Sequence, residues 1–158
     1  MRHAIAVERG TAGYDDDAKR PLTAKGKERM KAAAAGLHRV FAPEVVVTSP
    51  LLRARETADI LLAEFGLHKA RISEALATGD NVQLLEDLAD VDVERVAIVG
   101  HEPHMSATFS WLLCGDEQTM TTTFRKGAAA LVSSVAAPRP GGCTLEWLMQ
   151  PGALRLLR

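Results

Sequence analysis

The stretch VVVTSPLLRARETA occupies residues 45–58 and predicts a strand that passes directly into a helix. Its first residues, Val45–Thr48, are apolar and β-branched, which is typical of a buried strand. We predict a helix over residues 50–65, because Pro50 suits the first position of a helix and Gly66 suits its end. A buried strand followed at once by a helix favours a parallel sheet covered by helices.

The rest of the chain continues this alternation of strand-like and helix-like segments. Three further strands are predicted over residues 93–99, 129–135 and 143–149, and a hairpin-like connection at residues 138–142 joins the last two. Three further helices are predicted over residues 23–41, 81–88 and 103–113, the first with Thr23 as its N-cap. We therefore predict an α/β fold in which residues 1–158 form a single domain.

Composition and charge exclude several classes of function. The chain carries 19 Lys and Arg residues against 20 Asp and Glu residues, so its net charge of -1 gives no electrostatic basis for binding nucleic acid or an anionic membrane. No apolar run approaches the roughly 20 residues that span a bilayer, and no signal peptide is evident, so we expect a cytoplasmic protein. Cys114 and Cys143 are too few for a structural zinc site, which takes about four ligands.

Two histidines and two arginines lie next to strand-like apolar runs or strand-to-helix turns. Arg2 and His3 open the chain, Arg53 lies in the helix after the first predicted strand, and His101 follows the strand predicted over residues 93–99. The carboxyl ends of parallel strands meet at one edge of a sheet, where open α/β folds bind ligands. Arginine holds a phosphoryl group with its planar fork, and histidine is a suitable nucleophile near neutral pH. The pattern predicts phosphoryl chemistry without a metal or another cofactor, because the acidic run at residues 15–17 is most simply a solvated turn.

These motifs, in this order, resemble the histidine phosphatase superfamily and within it the SixA-type phosphohistidine phosphatases. The segment RPLTAKG at residues 20–26 is similar to a segment of that branch, as are Thr78-Gly79-Asp80 and the closing WLMQP of residues 147–151. The resemblance implies a phosphoglycerate-mutase-like fold: a three-layer sandwich with a mostly parallel central sheet and helices on both faces. It also implies a small version of that fold without lid insertions.

The resemblance assigns a role to each of the four motif residues. It implies that His3 is the nucleophile that becomes phosphorylated, and that Arg2, Arg53 and His101 complete the phosphate pocket. In the superfamily the Arg-His motif ends a central strand, of which Met1 would be the last residue. We therefore expect the first strand to be truncated at the N-terminus here, and the natural product to begin several apolar residues earlier.

The general acid is less well defined by the resemblance. Larger relatives use a glutamate in a loop after a later strand, and Glu74 lies near the corresponding place, with Asp80 as the other candidate. Arg9 is a further candidate for binding phosphate at the edge of the pocket, although exposed loop arginines such as Arg9 and Arg20 are more often part of the solvated surface.

The resemblance implies a metal-independent protein-histidine phosphatase, a hydrolase that acts in signal transduction. Its expected partner is a protein that carries phosphohistidine, such as a histidine-phosphotransfer domain or a phosphocarrier. Two alternatives remain open: a phosphatase of the same superfamily that acts on small phosphomonoesters, and a phosphohistidine-binding module that does not catalyse. A response-regulator receiver domain is disfavoured, because it would need acidic residues where this chain has Arg-His and Val-Thr-Ser.

Overall fold

The central sheet is built around the first predicted strand. In the computed structural model, which describes residues 1–158, β1 (Val45–Thr48) lies between β2 (Arg71–Ile72) and β3 (Val96–Val99). Both neighbours are parallel to β1, with Val46 paired to Ala97 and Val47 paired to Arg71. The predicted parallel sheet is confirmed, with β3 beginning at Val96 rather than at residue 93. The short β2 has no counterpart among the predicted strands.

Residues 1–3 extend this sheet beyond β3. The amide of His3 donates to the carbonyl of Gly100 at 3.0 Å, and Arg2 and Gly100 form a parallel bridge. On the other side, the amide of Arg2 donates to the carbonyl of Ala128 at 3.0 Å. The N-terminal segment (residues 1–3) therefore lies between β3 and the segment that leads into β4, and it brings Arg2 and His3 to the edge where β1 and β3 end.

The last two strands form an antiparallel hairpin. β4 (Ala129–Ser133) pairs with β5 (Thr144–Met149), with a register shift between Leu131 and Val132. The hairpin-like connection is confirmed, whereas the expectation that apolar runs mark parallel strands is wrong for this pair. The N-terminal half of β5 is exposed, so the strand is not buried on both faces.

Six helices cover the sheet: α1 (Ala24–His38), α2 (Leu52–Phe65), α3 (Ala75–Thr78), α4 (Asn81–Ala89), α5 (His104–Cys114) and α6 (Pro151–Leu156). Thr23 caps α1 as predicted, with its hydroxyl oxygen accepting from the amide of Gly26 at 2.9 Å. Gly66 ends α2 in the left-handed conformation with a φ of 68°. Pro50 does not open α2, because the first helical residue is Leu52.

No helix in the structure has both the length and the apolar character that a membrane-spanning helix requires.

Alternate side chains of β1 belong to two different cores. Val46 packs in the core that contains Met30 of α1 and Leu61 of α2. Val47 packs in the core that contains Leu76 of α3 and Leu84 of α4. Because successive side chains of a strand point to opposite faces, helices must cover both faces of the sheet. The predicted three-layer α/β architecture, in a small form without lid insertions, is confirmed.

Gly26 allows the chain after His3 to lie directly against the backbone of α1. A Cβ atom at this position would be 2.0 Å from the carbonyl oxygen of Ile5. The same carbonyl accepts a hydrogen bond of 3.0 Å from the amide of Thr23. The position of the segment that follows the candidate nucleophile therefore depends on a residue without a side chain.

We expect Gly26→Ala to lower the free energy of unfolding by about 1–3 kcal/mol, because the added methyl group meets backbone rather than a movable side chain. Alanine stabilises a helix by about 1 kcal/mol relative to glycine, and this gain offsets part of the loss in the free energy of unfolding. The matched control is Gly152→Ala in α6, where an added Cβ meets nothing within 4 Å. Urea denaturation of the three proteins checks this, and equal midpoints for Gly26→Ala and wild type would disprove the close approach.

Candidate active site

His3 is buried at the carboxyl end of the N-terminal segment, with 6% of its surface exposed. Its Nδ1 lies 2.7 Å from the carbonyl oxygen of Ala4. A carbonyl oxygen only accepts, so Nδ1 carries the ring proton and Nε2 keeps the free lone pair. Burial lowers the pKa of His3 to about 3, with a further contribution from the positive charges of Arg53 and Arg2. The ring is therefore neutral at pH 7, with Nε2 available as a nucleophile.

A single hydroxyl group joins the residue after His3 to the helix that carries Arg53. The amide of Ala4 donates to Oγ1 of Thr57 at 3.0 Å. The same hydroxyl donates to the carbonyl oxygen of Arg53 at 2.7 Å. Thr57 is fully buried in α2, so this link fixes the residue after His3 relative to the turn that presents Arg53.

His101 follows β3 and lies beside His3. The two ring centroids are 5.0 Å apart, with 50° between the ring planes. Nε2 of His101 is 2.8 Å from Oγ of Ser49, the first residue after β1. Burial, followed by the charge of Arg53, lowers the pKa of His101 to about 4, so this ring is also neutral at pH 7.

Arg53 is held in the first turn of α2 by both the backbone and the side chain of Asp17. Its Nη1 donates to the carbonyl oxygen of Asp17 at 2.8 Å, and its Nη2 lies 3.1 Å from the Asp17 carboxylate. The guanidinium is buried, and its Nε has no hydrogen-bond partner in the protein. Two of the five N–H groups of Arg53 are thus used for anchoring, and the N–H at Nε is left without a protein acceptor.

Arg2 is anchored from the other side of the site. Its Nη1 donates to the carbonyl oxygen of Phe124 at 2.6 Å, and its Nε is buried without a partner. Phe124 is positioned in turn by Glu102, whose carboxylate accepts from the Phe124 amide at 3.3 Å. The residue next to His101 therefore helps to set the position of Arg2.

The structure brings the four motif residues Arg2, His3, Arg53 and His101 together at one edge of the sheet. Both arginines act electrostatically on both histidines, lowering the pKa of each ring. The site offers one nitrogen lone pair, two fixed guanidinium groups and buried N–H groups without protein acceptors. Such an arrangement suits a small anion with several oxygens, such as a phosphoryl group. No group of three or more His, Cys, Asp or Glu side chains is arranged to hold a metal ion.

The acidic loop is exposed at Asp15 and Asp16, as its sequence suggests, whereas Asp17 is partly buried and paired with arginines. Asp17 begins a short 3-10 helix (Asp17–Lys19), and its carboxylate lies 2.9 Å from Nε of Arg9 and 2.9 Å from Nε of Arg20. Burial tends to raise the pKa of Asp17, but hydrogen bonds from Arg9 and Arg20 and the charge of Arg53 lower it to about 2. One carboxylate therefore connects three arginines. Arg20, interpreted above as surface, is 8% exposed.

The remaining candidate residues form no hydrogen bond with either histidine. The Arg9 side chain is 79% exposed, and its contact with Asp17 places it at the rim of the site. Glu74 precedes α3 at the same sheet edge, but it is exposed and its carboxylate forms no hydrogen bond or salt bridge. Asp80 caps α4, accepting from the amide of Gln83 at 3.0 Å. The structure brings neither acid candidate into contact with His3, and their roles stay predictions.

Sequence reasoning missed three supporting residues: Asp17, Ser49 and Thr57. Ser49 and Thr57 belong to the stretch of residues 45–58 that also contains Arg53, so their place within that motif was the available signal. The available signal for Asp17 was that it lies three residues before Arg20. This is the spacing of a contact across one helical turn.

Comparison with known proteins identifies the group to which this site belongs. The family model of the histidine phosphatase superfamily (branch 1) matches residues 1–80, about half of the chain. The chain belongs to the histidine phosphatase superfamily. The matched half contains Arg2, His3 and Arg53, whereas His101 lies beyond it.

Individual relatives extend the likeness to the whole chain. An uncharacterized protein of Picosynechococcus sp. is 40% identical over 111 residues, and the match covers 66% of this chain and 66% of that relative, just under two thirds. The solved structure of the protein histidine phosphatase SixA in complex with tungstate is 27% identical, with a TM-score of 0.75 over 98% of this chain and 96% of SixA. The prediction of a SixA-type member of the superfamily is confirmed.

The same fold also occurs in a relative with a different named substrate. A structure from Escherichia coli, whose proposed activity is that of an alpha-ribazole-5'-P phosphatase, has a TM-score of 0.74, and the match covers 96% of this chain and 95% of that chain. It is 18% identical, so this likeness shows the fold alone. The phosphoglycerate-mutase-like fold is thus confirmed independently of the substrate.

The low pKa of His3 predicts how stability depends on pH. Between its ordinary pKa of 6.5 and about 3, the unfolded chain binds a proton at His3 that the folded protein does not bind. Acidification through this window therefore destabilises the fold, by up to about 1.4 kcal/mol per pH unit for one histidine. We expect the free energy of unfolding, measured with urea from pH 7 to pH 5, to fall less steeply in His3→Ala than in wild type. Equal slopes would show that His3 titrates normally.

Proposed function

We propose that this chain is a phosphohistidine phosphatase that forms a covalent phosphohistidine intermediate on His3. The observation that carries the proposal is the state of that ring: Nδ1 bound to the Ala4 carbonyl at 2.7 Å, Nε2 free, and a pKa of about 3. A neutral imidazole beside two guanidinium groups combines a nucleophile with the charges that a phosphoryl group requires.

The first step transfers the phosphoryl group from the donor histidine to His3. The lone pair of His3 Nε2 forms a bond to phosphorus while the bond between phosphorus and the donor nitrogen breaks, and its electron pair returns to the departing imidazole. Negative charge on the three phosphoryl oxygens is stabilised by Arg2, Arg53 and an N–H of His101. The Asp17 and Phe124 contacts hold both arginines in place beforehand, so little reorganisation accompanies the step.

Hydrolysis completes the cycle. A water oxygen forms a bond to phosphorus, the bond to Nε2 breaks, and its electron pair returns to His3 as the lone pair. The proton lost by the water passes to an oxygen of the departing phosphate. The same positive groups stabilise both steps, because both place charge on the same oxygens.

The acidic residues near the site favour a P–N substrate over an alkyl phosphate. Asp17 is the carboxylate that contacts Arg53, and its pKa of about 2 keeps it ionised, so it has no proton to donate at pH 7. Glu74 is exposed, and its carboxylate forms no hydrogen bond or salt bridge with the four motif residues. An alkoxide leaving group needs a general acid, whereas an imidazole protonated on its other nitrogen leaves readily. The ionised state of Asp17 and the exposed position of Glu74 therefore support a metal-independent protein-histidine phosphatase.

The surroundings of the site favour a substrate that is part of another protein. The chain has the short connections of the small SixA-type form, with no insertion to enclose a small molecule. SixA itself is named a protein histidine phosphatase, and the resemblance to it covers nearly the whole chain. We therefore propose that the donor is a histidine-phosphotransfer domain or a phosphocarrier in cytoplasmic signalling, bound weakly and transiently.

We expect His3 to become phosphorylated when the protein is mixed with a phosphorylated histidine-phosphotransfer domain or with phosphoramidate. Intact-mass spectrometry after a rapid quench should show one acid-labile phosphoryl group, absent in His3→Ala. His38→Ala is the matched control, because His38 lies on the surface of α1. Labelling that persists in His3→Ala would disprove the assignment of the nucleophile. Absence of labelling and of turnover in wild type would favour a binding module.

The leaving-group argument predicts a substrate preference. We expect kcat/KM for phosphoramidate to exceed that for an alkyl phosphate such as glycerol phosphate by about 100-fold, the low end of what a positioned general acid contributes. EDTA should change neither value. A higher kcat/KM for the alkyl phosphate than for phosphoramidate would indicate a small-molecule phosphomonoesterase. If Glu74→Gln then lost this preference for the alkyl phosphate, Glu74 would be the general acid.

A further inference from the structure

Ser49 forms a hydrogen bond that connects the end of β1 to the second histidine of the site. It is fully buried, and its Oγ lies 2.8 Å from Nε2 of His101. The same oxygen accepts from the amide of Leu51 at 3.3 Å. The other ring nitrogen of His101, Nδ1, is buried and has no hydrogen-bond partner in the protein.

The hydrogen bonds of this pair are best satisfied in one protonation pattern. A neutral imidazole has one donor and one acceptor nitrogen. If Ser49 donates to Nε2, the serine uses its proton and accepts from Leu51, and only the N–H at Nδ1 lacks a partner. If Nε2 donates instead, both the Ser49 proton and the Nδ1 lone pair are buried without partners. Each buried unsatisfied group costs about 1–3 kcal/mol, so the first pattern is favoured.

We propose that Ser49 is a positioning residue that fixes His101 in the tautomer with its proton on Nδ1. The catalytic value of this tautomer rests on the proposed function. An N–H at Nδ1 attracts phosphoryl oxygens, whereas a lone pair at Nδ1 repels them. Ser49 itself touches neither the substrate nor the reacting atoms. It acts through His101, much as an oriented hydrogen bond fixes the tautomer of other catalytic histidines.

The tautomer is measured directly, without any substrate. In protein labelled with 15N at histidine, long-range proton–nitrogen spectra at pH 7 distinguish a protonated ring nitrogen from an unprotonated one. Nε2 couples to both ring C–H protons, which separates it from Nδ1, and His101→Gln assigns the signals. We expect wild-type His101 to show only the Nδ1–H form, and Ser49→Ala to show a visible Nε2–H population, a change of about tenfold in the ratio.

Ser110→Ala is the matched control for the loss of a buried serine hydroxyl. Ser110 is also fully buried, and its Oγ donates to the Asp116 carbonyl at 2.7 Å and accepts from the Met120 amide at 2.9 Å. We expect this variant to keep the wild-type tautomer of His101. An Nε2–H form in wild type, or an unchanged tautomer in Ser49→Ala, would overturn the proposal.

Kinetics then separates this proposal from the proposed function. Ser49→Ala should form the phosphoenzyme about tenfold more slowly than wild type, and Ser110→Ala should not. If wild type forms no phosphoenzyme but the tautomer changes as expected, the proposed function fails and the role of Ser49 stands. If wild type is active and the tautomer does not change, only the role of Ser49 is wrong.

Discussion

Hydrogen bonds on both sides of residues 1–3 are the interaction on which the site depends. The amide of His3 donates to Gly100 after β3, and the amide of Arg2 donates to Ala128 before β4. These contacts connect the parallel sheet to the antiparallel hairpin. They also place His3 and Arg2 beside the strand end that carries His101. The same backbone hydrogen bonds therefore extend the sheet and fix the distance between the two histidine rings.

Electrostatic balance decides what this arrangement can do. Burial, reinforced by the positive charges of Arg53 and Arg2, lowers the pKa of both histidines and keeps both rings neutral, which leaves a free nitrogen lone pair on His3 rather than a pair of cations. Asp17 offsets part of the positive charge and orients Arg53 by its backbone and its side chain. Because its carboxylate contacts arginines and neither histidine, the anion stabilises the guanidinium groups and leaves His3 Nε2 free.

Local sequence patterns predicted the strands and helices that have long apolar runs, and they missed the elements that are too short to show such a pattern. β1, β3 and the four longer helices have apolar runs bounded by Pro, Gly or a capping Thr or Asp. β2 has two exposed residues, and α3 and α6 have four and six residues, too short for a periodic pattern. Arg2, His3, Arg53 and His101 were predicted because strand ends converge and the motifs resemble a known family. The Ser49 contact, 52 residues apart in the chain, has no local signature, and the charges around Asp17 suggested solvent.

The Phe124 carbonyl that holds Arg2 has a consequence for the order in which the protein is made. Arg2 and Phe124 are 122 residues apart, and Ala128 closes the far side of the N-terminal segment. During synthesis the ribosome must therefore add most of the chain before the N-terminal segment can bind its final partners. Such long-range closure is entropically costly and slow compared with helix formation. The site is consequently completed late in synthesis, because Phe124, Ala128 and His101 all lie beyond the first 80 residues.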